Sequence, residues 1–504
     1  MIDRHAFVAA TRFGMGLGPS DGDHMGTDIK GWLIGQLQPQ PMPPLLAVLP
    51  GTADLYQQFR AVQAARKAAK QTADAVAPPT SPAPGEPIGA KPVDPFLGRT
   101  PRRMHLDTTA TGLGAAPPAR PPTQPKPQTV AAVTPVMGEP LREIYVGEAA
   151  SRTRAAVLSA VPLHERLVQF WSNHFTVSVA RPQILAIAGA FEREAIRPHV
   201  SGNFHDMLRA VAMHPAMLLY LDNAESLGPD SVAGRRRKKG INENLAREML
   251  ELHTLGVDGG YTQADVTNFA SVLTGWTLGR RNDDVLGEFL FEPRMHQPGD
   301  KRLLSMTIRD GGQDEGERML EFLAHHPSTA HHIATKLVRH FISDDPPPAA
   351  VEAVAASYRT SGGNLAAVMK TVISRPEAWD PPLAKMRTPN DLVIATLRAL
   401  GDPSVDDKQI FRSLAMLGQA PWSAPSPAGW PDRSDAWMGP EALMRRLQWA
   451  DIVARKAGRI DAMALAELTI GPVMSDDTRA VISGARDPHD KILMVLASRE
   501  FERR

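Results

Sequence analysis

The 504-residue chain has no cysteine, which removes disulfides, thiolate zinc sites, iron–sulfur clusters and a thiol nucleophile together. The absence leaves the redox compartment open, because a cysteine-free protein suits either one. Net charge is nearly absent as well: 56 basic against 55 acidic side chains leave +1, so no chain-wide field points to nucleic acid, and none is expected as a partner. No apolar run approaches the roughly 18 residues that span a bilayer, so no transmembrane segment is expected. The opening MIDRHAFVAATRFGMG lacks a signal-peptide core, since Arg12 interrupts it, and a cytoplasmic location is the expectation on that ground. HExxH, GxSxG, GxxxxGK[ST] and an EF-hand loop are all missing, so zincin, α/β-hydrolase, P-loop and calmodulin-like readings have no anchor. Chemistry here falls to carboxylates, imidazoles and arginine.

Proline is abundant, and unevenly placed: 16 of 45 fall between Pro78 and Pro140. Each ring removes an amide donor and restricts the residue before it, so neither helix nor central strand survives there. Residues 72–140 are expected to form a proline- and alanine-rich disordered insertion. Elsewhere apolar residues recur at three and four, as in TAHHIATKLVRHFI, with helix-forming Ala, Leu, Arg and Lys between them. The expected fold is all-α: a large multi-helix body, with GEFLFEP supplying at most a minor β-hairpin. Its parts are residues 1–71, then 141–310 carrying the polar motif, then 311–504. Asn203 and Thr262 read as helix starts, the second with Asp265 placed for a reciprocal cap, and Gly256, Gly259 and Gly260 mark a tight corner before it.

The densest polar constellation is INENLAREMLELHTLGVDGGYTQADV. On a helix, Asn244, Arg247, Glu248 and Glu251 share one arc, and the spacing of Glu243, Arg247 and Glu251 lets the arginine bridge two carboxylates. One reading is a solvated, salt-bridged face. The other places Glu248 and Glu251 as paired carboxylates in a cavity, able to act as acid and base or to hold a hard divalent cation. His253 falls on the opposite, apolar side, and so does His174 in LHERLVQFWSNHFTVS, where an aromatic setting favours neutral imidazole. Asp222 and Asn223 end an apolar helix, where a carboxylate needs a specific partner. Arg235 to Lys239 form a basic run in a loop. His296 and Lys301 sit on a turn-rich loop, as polar visitors to the same site or as surface groups. His325, His326, His331 and His332, with Lys336 and His340 stepping on by four, read as a surface cluster. Trp422, Trp430, Trp437 and Trp449 line a groove or pin a long loop. The residues name no cofactor and no particular metal.

FWSNHFTVS, YLDNAES, NENLAREMLELHTLGVDGGYTQADV, LTGW, HPSTAHHIATKLVRHF and the late GWPD together closely resemble the bacterial family catalogued as domain of unknown function 1800. The family's polar motif matches His174, Asp222, Asn223, Asn242, Glu243, Asn244, Arg247, Glu248, Glu251, His253, His296 and Lys301. Ser172 and Gln297 depart from it, standing where members commonly carry histidine and aspartate. The resemblance implies no activity. It does imply a protein partner, because members are often encoded beside a second uncharacterised family, number 1501, similar to exported sulfatases and alkaline phosphatases; envelope association through that partner follows. Two functions are therefore expected: a non-catalytic helical binding or assembly protein serving such a partner, or a carboxylate-based enzyme of hydrolase or lyase type. The enzyme's catalytic candidates are Glu248, Glu251, Arg247, His174 and Asp222. Its ligand-binding candidates are Asn223, Asn242, Asn244, His253, His296 and Lys301.

Overall fold

Outside the insertion, proline marks where helices begin. Pro162, Pro182, Pro327, Pro389 and Pro440 each open one. There the missing amide has no helical partner to lose and the fixed φ is already helical. Side-chain caps open others. Thr262 accepts from the Asp265 amide while Asp265 accepts from the Thr262 amide, the reciprocal cap its spacing predicts. Asn203 stands at the cap position of Phe204–Met213 in extended geometry, without a side-chain cap bond.

The structure is a computed structural model that describes residues 3–19, 21–76, 139–237, 240–280, 285–401, 405–458 and 460–504. Helices dominate these segments, and the fold is all-α as expected. Among the described residues, β-structure is confined to two small antiparallel pairs, Trp276–Leu278 with Phe289–Phe291 and Lys301–Leu303 with Met306–Ile308. The first pair contains the GEFLFEP segment. No helix among the described residues is long and apolar enough to cross a membrane. Of the expected insertion, 77–138 lies outside the described residues; the flanking helices are Thr52–Val76 and Glu139–Leu158. Met1–Gln63 with Val130–Arg504 make one compact unit, and Ala64–Thr129 a second, whose described part is the end of the first of these helices.

Among the described residues of the larger unit the apolar faces close on two large cores and one small cluster of Met15, Ala156 and Ile394. The main one gathers Phe7, Phe13, Trp171, Phe204, Trp276, Leu337 and Trp379. A second gathers Leu392, Leu414, Trp449, Ile470 and Ile492 from the C-terminal helices. Each such side chain contributes roughly 1.5–3 kcal/mol by leaving water. A buried ionic layer joins the two. Arg166, on the Pro162–His174 helix of the main core, reaches Asp391 at 3.2 Å on the Pro389–Leu400 helix of the second, and Arg504 Nε lies 3.1 Å from the same carboxylate.

Among the described residues, three stretches widen from α to π geometry: Ala9–Phe13, Glu192–Ile196 and Met249–His253. A π turn inserts an extra residue into the helix and is maintained by its surroundings, often next to functional groups. The third one carries the polar motif.

Candidate functional site

The Met249–His253 π turn ends with the His253 ring fully inside the protein, where neither ring nitrogen has a hydrogen-bond partner. His174, the last residue of its helix, donates from Nε2 to the His253 carbonyl at 3.1 Å. That bond fixes its tautomer, so Nδ1 is bare, and it too is buried without a partner. His332 donates from Nε2 to the Leu252 carbonyl at 3.0 Å. The His174 ring lies 6.1 Å from His253 and 6.2 Å from His332, with Trp171 and Phe175 set edge-on against it. Gly256 has φ of +84°, and a Cβ there would stand 2.9 Å from His332 Nδ1, so only glycine lets the chain pass the ring. Burial, reinforced by nearby Lys336, holds His174 well below the usual imidazole value and His253 at about 3; the same causes put His332 at about 4. All three are neutral bases at physiological pH.

One helical turn beyond His332 stands Lys336, and one turn further His340. Lys336 is half-buried, and burial lowers its ammonium to about 8. His340 donates from Nδ1 to the Asp432 carboxylate, with Oδ1 at 3.0 Å and Oδ2 at 3.1 Å. Its Nε2 is consequently bare, and it is buried with no partner. Phe170 lies against both rings, 6.4 Å from His174 and 5.2 Å from His340, which makes one continuous seam. Burial sets His340 at about 4, with Asp432 opposing the shift and Arg504 and Arg166 adding to it. Asp432 is drawn to about 2 by His340, Lys385 and Arg504, against burial, which raises it.

The Asp432 loop is held from three sides. Gly429 has φ of +81°, and a Cβ there would lie 2.4 Å from the Asn173 carbonyl. Asn173 donates from Nδ2 to the Trp430 carbonyl at 2.9 Å and accepts from the Trp430 amide at 2.7 Å. Lys385, itself buried, donates to the Asp432 and Arg339 carbonyls at 2.6 and 2.9 Å and to Asp344 at 2.6 Å. Trp437 donates to the Pro431 carbonyl at 3.0 Å and, like Trp422, is buried, so these two pin the loop to the body; Trp449 is buried in the second core from the helix that follows.

A second buried cluster lies on the β-pairs. Lys301 Nζ is 2.7 Å from Glu315 Oε2 and 3.1 Å from His296 Nε2, while His296 Nε2 stands 3.1 Å from Glu315 Oε1. The amides of Gly311 and Gly312 also donate to Glu315, at 2.9 and 3.2 Å, and with His296 and Lys301 they carry its carboxyl to about 2 against burial. Among the described residues, His296, Asp310 and Glu315 are the acidic and imidazole groups close enough to share a metal. Lys301 supplies a positive charge at that point already, so the cluster is a closed ion network.

A model for the family described as protein of unknown function, DUF1800, matches residues 8–503, nearly the whole chain. The chain belongs to the DUF1800 family. No curated protein and no solved structure matches it.

The DUF1800 chain does not bring its sequence-predicted residues to one place. Arg247 pairs with Glu243 at 2.9 Å and with Gln263 at 3.0 Å, and it makes no ion pair with Glu251. Glu248 is half-buried without a hydrogen-bond partner, and burial together with Glu251 raises its carboxyl. Tyr220 is pushed up to about 12 by burial and by Glu248, and the Tyr261 hydroxyl donates to Glu251 at 3.4 Å. Glu248, Glu251, Tyr220 and Tyr261 interact with one another, and none of their side chains hydrogen-bonds a seam histidine. Asp222, in left-handed geometry at φ of +59°, is gripped through both oxygens by Arg181. Asn223 is buried and donates to the Leu273 and Trp276 carbonyls, each at 3.0 Å. Asn242 caps the Asn244 amide at 2.9 Å, and Asn244 is exposed. His174 and His253 do meet. His296 and Lys301 meet each other rather than Glu248, and they are buried rather than on the surface.

Two other expectations need correcting in the DUF1800 chain. Arg235, Arg236 and Arg237 are exposed on a helix, Val232–Arg237, rather than on a loop; Lys238 and Lys239 lie outside the described residues. His332, Lys336 and His340 line the seam instead of the surface, where His325 and His331 remain. The step of four between them was the available signal. Asp432, Lys385 and Arg339 gave none beyond the GWPD string, because their partners are distant in sequence. Gln297, one of the two departures, hydrogen-bonds Asp230 through its side chain at 3.0 Å.

Proposed function

We propose that this chain is an acid–base enzyme in which His340 Nε2 accepts the reacting proton, Asp432 orients the ring, and Lys336 supplies a neighbouring positive charge. What carries the reading is the bare, buried Nε2 of an imidazole whose Nδ1 is committed to a carboxylate. The arrangement supports proton abstraction or hydrolysis without a side-chain nucleophile. Resting His340 is a weak base because burial, Arg504 and Arg166 all disfavour its cation, and a bound anion would offset the two arginines and strengthen it. The carboxylates Glu248 and Glu251, the other candidate pair, lack the arginine bridge that would have oriented them. A panel of p-nitrophenyl acetate, phosphate and sulfate, assayed between pH 5 and 9, tests the reading. Turnover that disappears in His340→Ala and Asp432→Asn, with helical circular dichroism retained, is the expected outcome. Turnover unaffected by either change, or none on the panel, refutes it.

A specific observation favours assembly as a second reading. Leu443, Met444 and Leu447 stand 40%, 54% and 46% exposed on the Pro440–Lys456 helix, an uncovered apolar face beside the tryptophan loop. A protein partner similar to exported sulfatases or phosphatases would cover it and would place this chain at the envelope rather than free in the cytoplasm. Co-expression with a protein of family 1501 and crosslinking checks this. Recovery of the pair, lost in Leu447→Asp, supports it, and failure to recover the pair ends it.

A further inference from the structure

Two cations on the seam have no partner. Lys336 and Arg339 lie three residues apart on the Pro327–Phe341 helix, which makes them surface neighbours. Neither side chain forms a hydrogen bond or an ion pair with a described residue, and Arg339 Nε is buried without an acceptor. Other arginines with a bare buried nitrogen keep a bond elsewhere on the guanidinium: Arg197 to Glu165, and Arg12, Arg280, Arg387 and Arg504 to the carbonyls of Ala378, Ala224, Arg503 and Arg12. A buried guanidinium nitrogen left bare costs the desolvation it has suffered, so an unmatched pair of cations stands out against this habit. The charge at Lys336 is disfavoured first by burial and then also by Arg339, with Asp432 offsetting only part. Asp432 is itself bonded to His340 and lies 3.8 Å from Lys385. Its single negative charge is already shared.

We infer that Lys336 and Arg339 together bind a dianionic oxyanion, phosphate or sulfate, free or as the head of a phosphate ester, beside the His340 base. Two uncompensated positive charges call for two negative ones, so a dianion fits where a carboxylate would leave one cation unmatched. The guanidinium offers fork geometry and the ammonium a point charge, a combination suited to a tetrahedral oxyanion. The inference deepens the acid–base reading by naming its substrate class, and it rests on that reading for the role of the anion, not for its binding.

Binding is measured by calorimetry and thermal shift on the full chain, at constant ionic strength, with inorganic phosphate, sulfate and acetate. A saturable response to phosphate and sulfate but not to acetate is expected, weakened about tenfold or more in Lys336→Met and in Arg339→Gln. Phenyl phosphate that competes with inorganic phosphate identifies an ester head as the ligand; if only the inorganic ions bind, the site is for the free ion, and the inference stands in either case. No saturable response of the unmodified chain to either dianion overturns it, as does equal binding of acetate or unchanged affinity in both variants. The unmodified chain decides the first of these even if a variant fails to fold. Turnover by His340 without dianion binding would sink this inference alone, and dianion binding without turnover would sink the acid–base reading alone.

Discussion

His340 Nδ1 and Asp432 Oδ1 meet at 3.0 Å across 92 residues of chain. The bond joins a helix of the main core to a loop pinned by glycine and tryptophan. It commits one face of the imidazole and leaves the other bare. Asp432→Asn keeps the loop's shape and removes the charge. Stability should fall by about 1.5–3 kcal/mol, the worth of a hydrogen bond to a charged group, as read by urea unfolding. The Lys336 amine should lose its proton more easily still, because Asp432 is what raises it. Lysine NMR after reductive methylation would show this, and an unchanged amine would refute it.

Asp391 is set directly between Arg166 and Arg504, and all three side chains are buried. Burial raises its carboxyl, but Arg166 and Arg504 pull it far below the ordinary range. Asp391→Asn leaves two buried guanidinium groups facing a neutral amide and should cost about 3–5 kcal/mol. A loss under about 1 kcal/mol in denaturant unfolding would contradict the ionic layer.

The seam histidines set a pH dependence. His253 at about 3, and His332 and His340 at about 4, protonate in the folded state later than they do unfolded, near pH 6.5. Between about pH 6.5 and 4 the unfolded chain binds more protons, so the stability these rings contribute is complete above that window and declines as pH falls through it. His253→Leu removes one of them and should flatten the melting temperature against pH across the same window. An unaltered slope would show that His253 is not held neutral.

Gly429→Ala should act on the loop without touching a charge. The new Cβ meets the Asn173 carbonyl, and the positive φ is strained for any L side chain. A cost of about 1–3 kcal/mol is expected, with a change in tryptophan fluorescence as Trp430 and Trp437 shift. Unperturbed fluorescence would indicate that the loop is not clamped there.

Glu248 and Arg247 should respond in opposite directions. Glu248→Gln relieves a half-buried carboxylate that sits next to Glu251, so the melting temperature at neutral pH should rise. Its raised value makes ionisation unfavourable to the fold as pH climbs, so the gain should vanish in acid. Arg247→Ala loses a partly exposed i,i+4 pair with Glu243 and should cost less than about 1 kcal/mol. A large loss in both would restore the idea of a coupled Glu–Arg site.

Much of this molecule was legible in its residue order, because the relevant physics is local. Period-3.6 apolar stripes, prolines at helix starts and the Thr262–Asp265 cap act within a few residues, and they set an all-α fold with a polar motif at a glycine corner. The aromatic run around His174 likewise predicted a neutral imidazole. The candidate site was only half visible. His174 and His253 were named, but an ideal wheel says nothing of a π turn, which is held by surrounding packing. His332, Lys336 and His340 looked like a surface flank, since a helix pattern does not say which face is covered by a distant loop. The pairing of His296 and Lys301 with Glu315 depends on two β-pairs too short to carry a pattern.

The sequence by itself determined the helices, the membership of the family and the absence of thiol chemistry. Tertiary structure alone decided which ionisable groups lose water and which partners they then find. That division is physical: a secondary-structure signal is summed over neighbours along the chain, whereas the state of His340, Lys336 and Asp391 is set by desolvation and by charges brought close from tens to hundreds of residues away.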